Sequence, residues 1–511
     1  MDFRTTPLPE LARDVADRRV SARELVDHAL ERIDALNPTF NAFVAVDPDA
    51  ARAAADAVDA RIAAGEDGGP LAGIPIGVKD LEDAAGFVTS FGSAAHAGDP
   101  PATRDSVLVE RLKEAGAIVV GKTNTPEFGL KPVTDNPTFG ISRNPWDPAR
   151  SPGGSSGGTS AAVAAGMVPL ATGSDGGGSI RIPSAVTGLS GHKPSLGRVP
   201  AADPEAPGWP HLSSKGVMAR RIRDVAYALD VVVGPHPRDL RSLPHPGESW
   251  FEAASSPEPP RRVGWCPTLG YARVDREILR VCERAVEALA ASGTDVVELD
   301  KVFDEDPGPS LGALVSTYTR RTVEPYRDTP IWSKLDPLVV IAAEMAAATI
   351  SAVDLVRAED ACHRFNGQLV EALEQVDLLV CPTTCGQTPE ASMPTTVDEL
   401  MARFFTEGDV DLDALTRGVD LERLIGWLQG IGQLDIALGT IDGEIVLDWC
   451  RLTQPFNLTR SPAGSVCAGF TESHGLPVGL QVVGRQHDDV GVLRAIAHLE
   501  DVLALDPVSP V

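Results

Sequence analysis

The stretch SPGGSSGGTSAAVAAGMVPLATGSDGGGSIRIPS, residues 151–184, decides the fold of this chain. Three glycines, Gly176 to Gly178, stand directly before Ser179, and a short apolar run follows. Successive glycines cost conformational entropy, so a folded chain keeps them where the backbone turns tightly or is closely approached. The alternatives here are a tight turn, or a loop that presents its backbone to a bound molecule beside the Ser179 hydroxyl.

The same stretch argues against a flexible linker, although residues 140–200 are rich in Gly, Ser and Pro. Residues 160–173 carry a helical pattern followed by a strand pattern, which a linker would not contain. Another such pair has a helix over 106–116, stopped by Gly116, and then the buried strand AIVVGK. This alternation predicts an α/β fold with a largely parallel or mixed sheet covered by helices.

Other segments add elements to this pattern. Residues 7–36 have helical periodicity, and Ser21 with Glu24 predicts a capping box that opens the helix ARELVDHALERIDALN. Further expectations are helices over 48–64 and 275–292, strands at 261–267, 376–384 and 476–484, a surface loop over 236–260 and a mostly helical insertion over 390–450.

The composition excludes several classes of partner. The formal net charge of −27 repels nucleic acid and anionic membranes, and no Lys/Arg block offsets it. No run of 18 apolar residues and no apolar leader is present, so we expect a cytoplasmic protein that does not enter a membrane. Seven scattered cysteines, an odd number without zinc-ligand spacing, favour buried thiols over disulfides.

Two short motifs match well-known patterns without their context. GAIVVGKT, residues 116–123, satisfies the P-loop pattern, but its four variable positions are apolar residues typical of a strand, and Pro126 follows soon after. A nucleotide-binding ATPase is therefore the alternative from another class, and the sequence argues against it. GGSSG, residues 153–157, fits the nucleophile elbow of α/β-hydrolases, but a loop rather than a strand precedes it.

Three residues together point to nucleophilic catalysis. Lys79 follows the apolar run GIPIGV, and burial would lower its pKa so that the neutral amine can act as a base. Ser155 lies in PGGSSGGTS, and Ser179 follows glycines whose N–H groups can converge as an oxyanion hole requires. Taken singly, a surface lysine and a polar turn explain these residues as well; together they suggest base, relay and nucleophile.

At these residues the sequence closely resembles the amidase signature family. The resemblance runs from about residue 8 to about residue 500 and implies one α/β domain over 1–511, with a mixed central sheet flanked by helices on both faces. The matching stretches are residues 151–199, GIPIGVKD, GKTNTPEFG, SRNPWDPARS, PFNLTRSPAGSVCAGF and LPVGLQVVGRQHDD. The implied subdivisions are a core over about 8–235 and 261–500, a catalytic signature region over 71–200, and a variable, largely helical substrate-pocket region over 305–450.

The resemblance also implies roles for the three catalytic candidates. Family members use a Ser–cisSer–Lys triad, which by position makes Ser179 the nucleophile and Lys79 the base. Ser155 becomes the relay serine, held in a cis peptide bond with the preceding glycine. No metal, nucleotide or organic cofactor is implied.

The oxyanion hole and the pocket are implied in the same way. The hole would be formed by Gly176, Gly177, Gly178 and the amide of Ser179. The family more often has Thr or Ile at the position of Gly176, so we expect a wider pocket beside the hole. Candidates for the pocket wall are Gly129, Trp209, Tyr318 and Cys385.

The substrate stays open at this level. The family cleaves aliphatic, aryl, fatty-acyl and peptide-like amides, and some members accept carbamates or esters. The expected function is hydrolysis of a small or oligomeric aliphatic or aryl amide through a serine acyl-enzyme, by a chain that the family relation suggests is a homodimer. The alternative within the family is a glutamine-dependent amidotransferase A-type subunit that needs partner subunits; the acidic surface and the divergent 305–450 region favour a free-standing hydrolase.

Overall fold

An eleven-stranded mixed sheet forms the centre of the molecule. The computed structural model describes residues 2–202, 208–392, 394–396, 433–435, 439–446 and 449–511. The strands of the sheet are β1 (Phe43–Val46), β2 (Pro75–Lys79), β3 (Ile118–Thr123), β4 (Leu170–Asp175), β5 (Ser190–Lys193), β6 (Ser214–Ala219), β7 (Arg262–Trp265), β8 (Asp295–Glu298), β9 (Leu378–Pro382), β10 (Ala463–Phe470) and β11 (Pro477–Val483). Their order across the sheet is β1-β3-β2-β4-β6-β5-β10-β11-β9-β7-β8.

Strand direction in this sheet brings two distant segments together. β2 lies between β3 and β4 and is parallel to both, with Gly77 opposite Ala171. Antiparallel pairs follow from β4–β6 to β11–β9, and β9, β7 and β8 are again parallel, so the mixed sheet is confirmed. Because β2 and β4 run in the same direction, Lys79 and Asp175 at their carboxyl ends lie at one edge of the sheet.

Helices flank the sheet. Within the described residues they are α1 (Leu8–Ala16), α2 (Ala22–Phe40), α3 (Pro48–Ala63), α4 (Val107–Glu114), α5 (Gly157–Ala164), α6 (Arg181–Thr187), α7 (Ile222–Asp230), α8 (Trp250–Ser255), α9 (Arg276–Ala291), α10 (Gly308–Val323), α11 (Pro337–Thr349), α12 (Ala352–Gln375), α13 (Pro455–Leu458) and α14 (Asp489–Leu503). The helix–strand pair over 160–173 is confirmed by α5 and β4, and the predicted helices over 48–64, 106–116 and 275–292 by α3, α4 and α9.

The segment with helical periodicity over 7–36 forms two helices, and the second begins where the capping box is predicted to open one. The capping box is the reason for the break: the Glu24 N–H donates to Ser21 Oγ at 3.1 Å, and the Ser21 N–H donates to Glu24 Oε2 at 2.8 Å. These two bonds satisfy donors that only a helix start leaves unpaired. The capping box itself is therefore confirmed, and α2 begins immediately after it.

One hydrophobic core joins both ends of the chain. A single cluster of buried side chains runs from Phe3 to Leu499 and includes residues of both halves of the sheet. The surface loop expected over 236–260 is corrected here, since α8 lies inside it and Trp250 belongs to this core with only 1% of its surface exposed. The Pro and Glu residues of that segment are typical of a loop, but they flank a helix that the core holds in place.

The 305–450 region is helical in its first part. Helices α10, α11 and α12 precede β9, whereas residues 394–396, 433–435, 439–441 and 444–446 form short antiparallel strand pairs. The mostly helical insertion expected over 390–450 is therefore not found in the residues described there. Its remaining positions lie outside the described residues.

The buried thiols predicted from the cysteine pattern are confirmed. All seven cysteines lie in described segments, are buried and form no disulfide bond. Among the described residues, no single helix is both long and apolar enough to cross a membrane; α11 and α12 reach that length and hydropathy only as a pair bent by 107°.

The P-loop match is a strand, as its apolar residues indicate. Residues 118–123 are β3, and Lys122 is fully buried rather than placed at a helix start. Its Nζ lies 3.0 Å from Asp80 Oδ1 and donates to Thr89 Oγ1 at 2.9 Å. A side chain committed to this internal ion pair does not reach a phosphate.

We expect Lys122→Ala to destabilise the protein by about 3–5 kcal/mol, because it leaves the buried Asp80 carboxylate without its partner. Urea unfolding followed by circular dichroism measures the loss. The matched control is Lys113→Ala, which removes a half-exposed lysine paired with Asp105 and should cost less than about 1 kcal/mol. If magnesium ATP stabilised the wild type but not Lys122→Ala, the nucleotide-binding alternative would stand again.

Candidate active site

Four segments meet at the edge where β2 and β4 end. Lys79 is the last residue of β2, and Ser174 and Asp175 end β4. The loop of residues 151–156 leads into α5 and carries Ser155, and the loop of residues 176–180 connects β4 to α6 and carries Ser179. The sequence-predicted catalytic candidates therefore converge on one edge of the sheet.

The Lys79 amine lies buried among three serine hydroxyls. Its Nζ is 2.9 Å from Ser155 Oγ, 2.9 Å from Ser156 Oγ and 3.0 Å from Ser174 Oγ. Within the described part of the chain, no carboxylate is hydrogen-bonded to this nitrogen. A neutral amine has two N–H donors and one lone pair, so it can donate to two of these hydroxyls and accept from the third.

This setting favours the neutral amine. Burial, with a further contribution from the positive charge of Lys215, lowers the pKa of Lys79 to about 7. The carboxylates of Glu82 and Asp175 act in the opposite direction but do not offset the burial. Near neutral pH, Lys79 can therefore accept a proton from a hydroxyl next to it.

Ser156 and Ser174 were missed by sequence reasoning. Ser156 is the second serine of the GGSSGG run, and Ser174 is the residue before Asp175, so both were within the quoted motif. The sequence did not show that these two hydroxyls lie within hydrogen-bond distance of the same amine as Ser155, that of Lys79. They fix the position of Lys79 Nζ without adding a charge.

The Gly154–Ser155 peptide bond is cis. A Cβ on Gly154 would lie 2.6 Å from the backbone N of Val133, so two backbone segments are in direct contact there. Thr125 Oγ1 donates to the Ser155 carbonyl at 3.0 Å. Residues 151–156 form a loop with no strand leading into it, which agrees with the argument against a nucleophile elbow.

The three glycines before Ser179 lie in different surroundings. A Cβ on Gly176 would lie 2.5 Å from Cε3 of the Trp209 indole, whereas a Cβ on Gly177 would meet only Leu311 Cδ2, at 3.8 Å. Gly178 has φ +134°, and a Cβ there would lie 2.2 Å from Thr453 Oγ1. Only Gly178 requires the left-handed backbone region that favours glycine.

The wider pocket predicted beside Gly176 is therefore wrong. The volume that a larger residue would fill at this position is occupied by Trp209, which comes from a different segment of the chain. Trp209 also lines the pocket next to Ser179. The indole of Trp209 therefore forms the pocket wall that a larger side chain at position 176 would otherwise form.

The backbone N–H groups of this loop divide into two sets. The Gly178 N–H donates to Asp175 Oδ1 at 2.8 Å, so it does not offer a donor to a ligand in this structure, which corrects its assignment to the oxyanion hole. None of the described residues accepts a hydrogen bond from the N–H groups of Gly176, Gly177 or Ser179. These three N–H groups are the ones left to bind an oxyanion.

A buried ion pair between Asp175 and Arg181 fixes the loop. The guanidinium uses all five N–H groups, donating to both oxygens of Asp175 and to acceptors on three other residues, Thr453, Asn457 and Gln481. Burial alone would raise the pKa of Asp175, but the charge and hydrogen bonds of Arg181 outweigh it and hold the pKa well below its usual range. Sequence reasoning missed this pair, although both residues lie in the stretch SDGGGSIR.

A small pocket of about 80 Å³ opens beside Ser155 and Ser179. Gly129 lies on its wall, and a Cβ there would be 3.2 Å from Ser155 Oγ. The described lining residues lie between 81 and 241 and include Trp209; Tyr318 and Cys385 are not among them. The lining is Leu81, Phe128, Gly129, Ser155, Ser174, Gly176, Ser179, Ala201, Gly208, Trp209, Pro210, Ser213, Lys215 and Arg241.

Comparison with known proteins finds the same relation along almost the whole chain. The amidase family model matches residues 24–407 and 436–493. An acylamidase from Rhodococcus erythropolis is 35% identical over 502 residues, covering 96% of this chain and 94% of that protein. The crystal structure of a bacterial aryl acylamidase of the amidase signature family superposes with a TM-score of 0.82 at 26% identity, covering 97% of this chain and 96% of that one.

One component of a different enzyme is similar over a shorter range. The A-type subunit of glutamyl-tRNA(Gln) amidotransferase from Acidothermus cellulolyticus is 43% identical over 291 residues. The match covers 57% of this chain and 57% of that protein. The similarity to this relative is thus partial, whereas the similarity to the acylamidase extends over nearly the full length.

The different settings of Gly177 and Gly178 predict different effects of the same change. Gly178→Ala should lower the free energy of unfolding by about 2 kcal/mol or more, because the new Cβ meets Thr453 and φ is positive. Gly177→Ala, the matched control, should stay within about 1 kcal/mol, since its Cβ meets only one atom in ordinary contact. Urea unfolding of the two variants measures both; equal losses would contradict this division of the loop.

Proposed function

Because the chain belongs to the amidase family, we propose that it hydrolyses an amide bond through an acyl-enzyme formed on Ser179. The single observation that carries this proposal is the buried Lys79 amine, which is within hydrogen-bond distance of Ser155 Oγ and has a pKa near neutrality. A neutral amine next to a hydroxyl is a general base, and the adjoining pocket provides a second hydroxyl on Ser179.

The proposed acylation step moves one proton along two hydroxyls. Lys79 Nζ accepts the proton of Ser155, Ser155 Oγ accepts the proton of Ser179, and Ser179 Oγ forms a bond to the substrate carbonyl carbon. The carbonyl oxygen becomes negative and is bound by the N–H groups of Gly176, Gly177 and Ser179. When the C–N bond breaks, the leaving nitrogen takes the proton back from Ser155, which is reprotonated by Lys79.

Deacylation uses the same groups in the same order. A water molecule gives its proton through Ser155 to Lys79 and adds to the acyl carbon, and collapse of this second oxyanion returns the proton to Ser179 Oγ. The products are a carboxylic acid and an amine, so no redox change or external co-reactant is needed. The role of the three amides in both steps depends on their having no acceptor within the described protein.

The substrate we propose is a small amide, with aryl amides as the first class to examine. The small pocket and the indole of Trp209 on its wall support a flat or short group next to the scissile bond. Similarity to an acylamidase over 96% of the chain supports a free-standing hydrolase over an amidotransferase component, to which the match covers 57%. Glutaminase activity that requires a partner protein would favour the amidotransferase instead.

We expect Ser179→Ala to lower kcat for p-nitroacetanilide by about 10³-fold or more, because the nucleophile is removed while the pocket is kept. Release of p-nitroaniline measures the rate, and a linear aliphatic amide, a carbamate and glutamine complete the panel. Ser256→Ala, a change at an exposed serine, is the matched control and should retain the wild-type rate. Full activity in Ser179→Ala would overturn the assignment of the nucleophile.

The pH dependence of kcat/KM should report Lys79. Since only the neutral amine accepts a proton, kcat/KM rises with pH, reaches half its plateau near pH 7 and stays high above it. Lys215→Gln should move this midpoint to higher pH, because it removes a positive charge that lowers the Lys79 pKa and leaves Glu82 without its ion-pair partner.

The matched control for this shift is Lys301→Gln, which changes an exposed lysine paired with Asp304. Its pH profile should coincide with that of the wild type. A midpoint that stayed at the same pH in Lys215→Gln would show that another group governs the profile.

A further inference from the structure

The ionisable residues that the structure describes in the lining of the pocket beside Ser179 are basic, whereas the chain as a whole is acidic. Acidic residues outnumber basic ones by 72 to 45 in the whole chain. Among the described residues that line this pocket, the two ionisable ones are Lys215 and Arg241, and both are basic. Which of the two can bind a ligand depends on the carboxylate that lies beside each of them.

The two cations are not equally available to a ligand. Lys215 Nζ is in direct contact with the Glu82 carboxylate, which neutralises it. Arg241 Nε lies 3.7 Å from Asp239 Oδ1, outside hydrogen-bond distance, and the two oxygens of Asp239 already accept the backbone N–H groups of Arg241 and Ala201. None of the described residues accepts a hydrogen bond from the Arg241 guanidinium, which is about one-third exposed.

The backbone of Arg241 is held in place, so its side chain has a fixed origin. Besides the bond from its N–H to Asp239, its carbonyl packs against Gly197, where a Cβ would lie 2.1 Å from the Arg241 oxygen. The Leu243 N–H donates to the Gly197 carbonyl at 2.9 Å. The guanidinium is therefore presented to the pocket from a well-anchored turn.

Further basic residues surround the side of the pocket on which Arg241 lies. Arg321 Nη2 donates to the carbonyl of Gly208, a lining residue, at 3.2 Å, and its guanidinium lies over the Tyr318 ring. Burial and then the charges of Arg241 and Arg460 lower the pKa of His211, with Glu359 acting against them. Basic side chains therefore extend beyond Arg241 on this side of the pocket, and the described carboxylates near them include Glu82, Asp239 and Glu359.

We propose that the preferred substrate is an amide carrying a carboxylate, and that Arg241 binds this carboxylate. A planar guanidinium with unused N–H donors matches the two oxygens of a carboxylate. The surrounding arginines raise the local concentration of an anionic substrate near a protein that otherwise repels anions. This inference rests on the proposed function and names the substrate class of that same site.

The test compares matched substrates with and without the carboxylate. The mono-p-nitroanilide of succinic acid is paired with the p-nitroanilide of pentanoic acid, and 4-acetamidobenzoate with 4-methylacetanilide, so that the acid lies on either side of the amide. We expect kcat/KM for at least one acid to exceed that of its neutral partner by about 10-fold or more. The acid's kcat/KM should also fall with added salt, while that of the neutral partner stays constant.

Arg241→Gln should reduce this acid-to-neutral ratio to within about 3-fold of unity, mainly by lowering kcat/KM for the acid. Arg241→Lys, which keeps the positive charge but loses the paired N–H donors of the guanidinium, should retain part of the preference for the acid. The matched control is Arg261→Gln, at an arginine that is 90% exposed and outside the pocket lining, which should keep the full ratio. A ratio at or below unity in the wild type, or one unchanged in Arg241→Gln, would overturn the proposal.

A binding measurement separates this inference from the proposed catalytic mechanism. Calorimetry on Ser179→Ala with the same four compounds needs no turnover. Tighter binding of the acid, lost on adding Arg241→Gln, supports the carboxylate site even if the assignment of the nucleophile fails. Equal binding of acid and neutral compound overturns the site even if Ser179 is the nucleophile.

Discussion

The burial of one amine among hydroxyls is the constraint on which the site depends. Lys79 ends β2 with its Nζ against Ser155, Ser156 and Ser174, and among the described residues no carboxylate is hydrogen-bonded to it. A carboxylate partner would stabilise the ammonium ion and remove the base. The parallel pairing of β2 with β4 makes the arrangement available, because both strands deliver their last residues to the same edge of the sheet. The low pKa of the lysine is thus a consequence of topology and of neutral neighbours.

The loop that follows β4 is held by a buried ion pair. Asp175 and Arg181 form a buried pair with every guanidinium N–H in use, and this pair also binds the Gly178 N–H. Removing one partner of such a pair leaves an uncompensated buried charge, so the loop between them is strongly held. In the same loop, the N–H groups of Gly176, Gly177 and Ser179 have no protein acceptor among the described residues. A firmly held loop with unused N–H donors is what preorganised binding of an oxyanion requires.

Local pattern predicted many of the described helices and strands and indicated Lys79, Ser155 and Ser179 as candidates, because helix and strand periods and the glycine run are short-range signals. Local pattern could not predict contacts between segments that are distant in the sequence. The Trp209 ring fills the space beside Gly176, and no spacing within SDGGGSIR indicates that. Trp250 likewise packs in the core through contacts with distant segments, although the sequence around it resembles a loop. The start of α2 was predicted, in contrast, because the capping box at Ser21 is a local signal.

Trp209 fills the space beside Gly176, and this arrangement affects how the substrate preference of such a site can change. A side chain at position 176 would sit on the same loop as the three unused N–H groups, so enlarging or trimming it would disturb them directly. An indole supplied by another segment forms the wall without that coupling, and its ring presents an apolar face to the pocket while Arg241 presents charge. Trp209 and Arg241 on the pocket wall come from residues 208–241, and the proposed catalytic residues come from residues 79–179. The two sets are nevertheless joined, because β4 (Leu170–Asp175) pairs with β6 (Ser214–Ala219) and Lys215 contacts Glu82. A change within residues 208–241 therefore leaves the burial of Lys79 and the Asp175–Arg181 pair in place only where it spares these contacts.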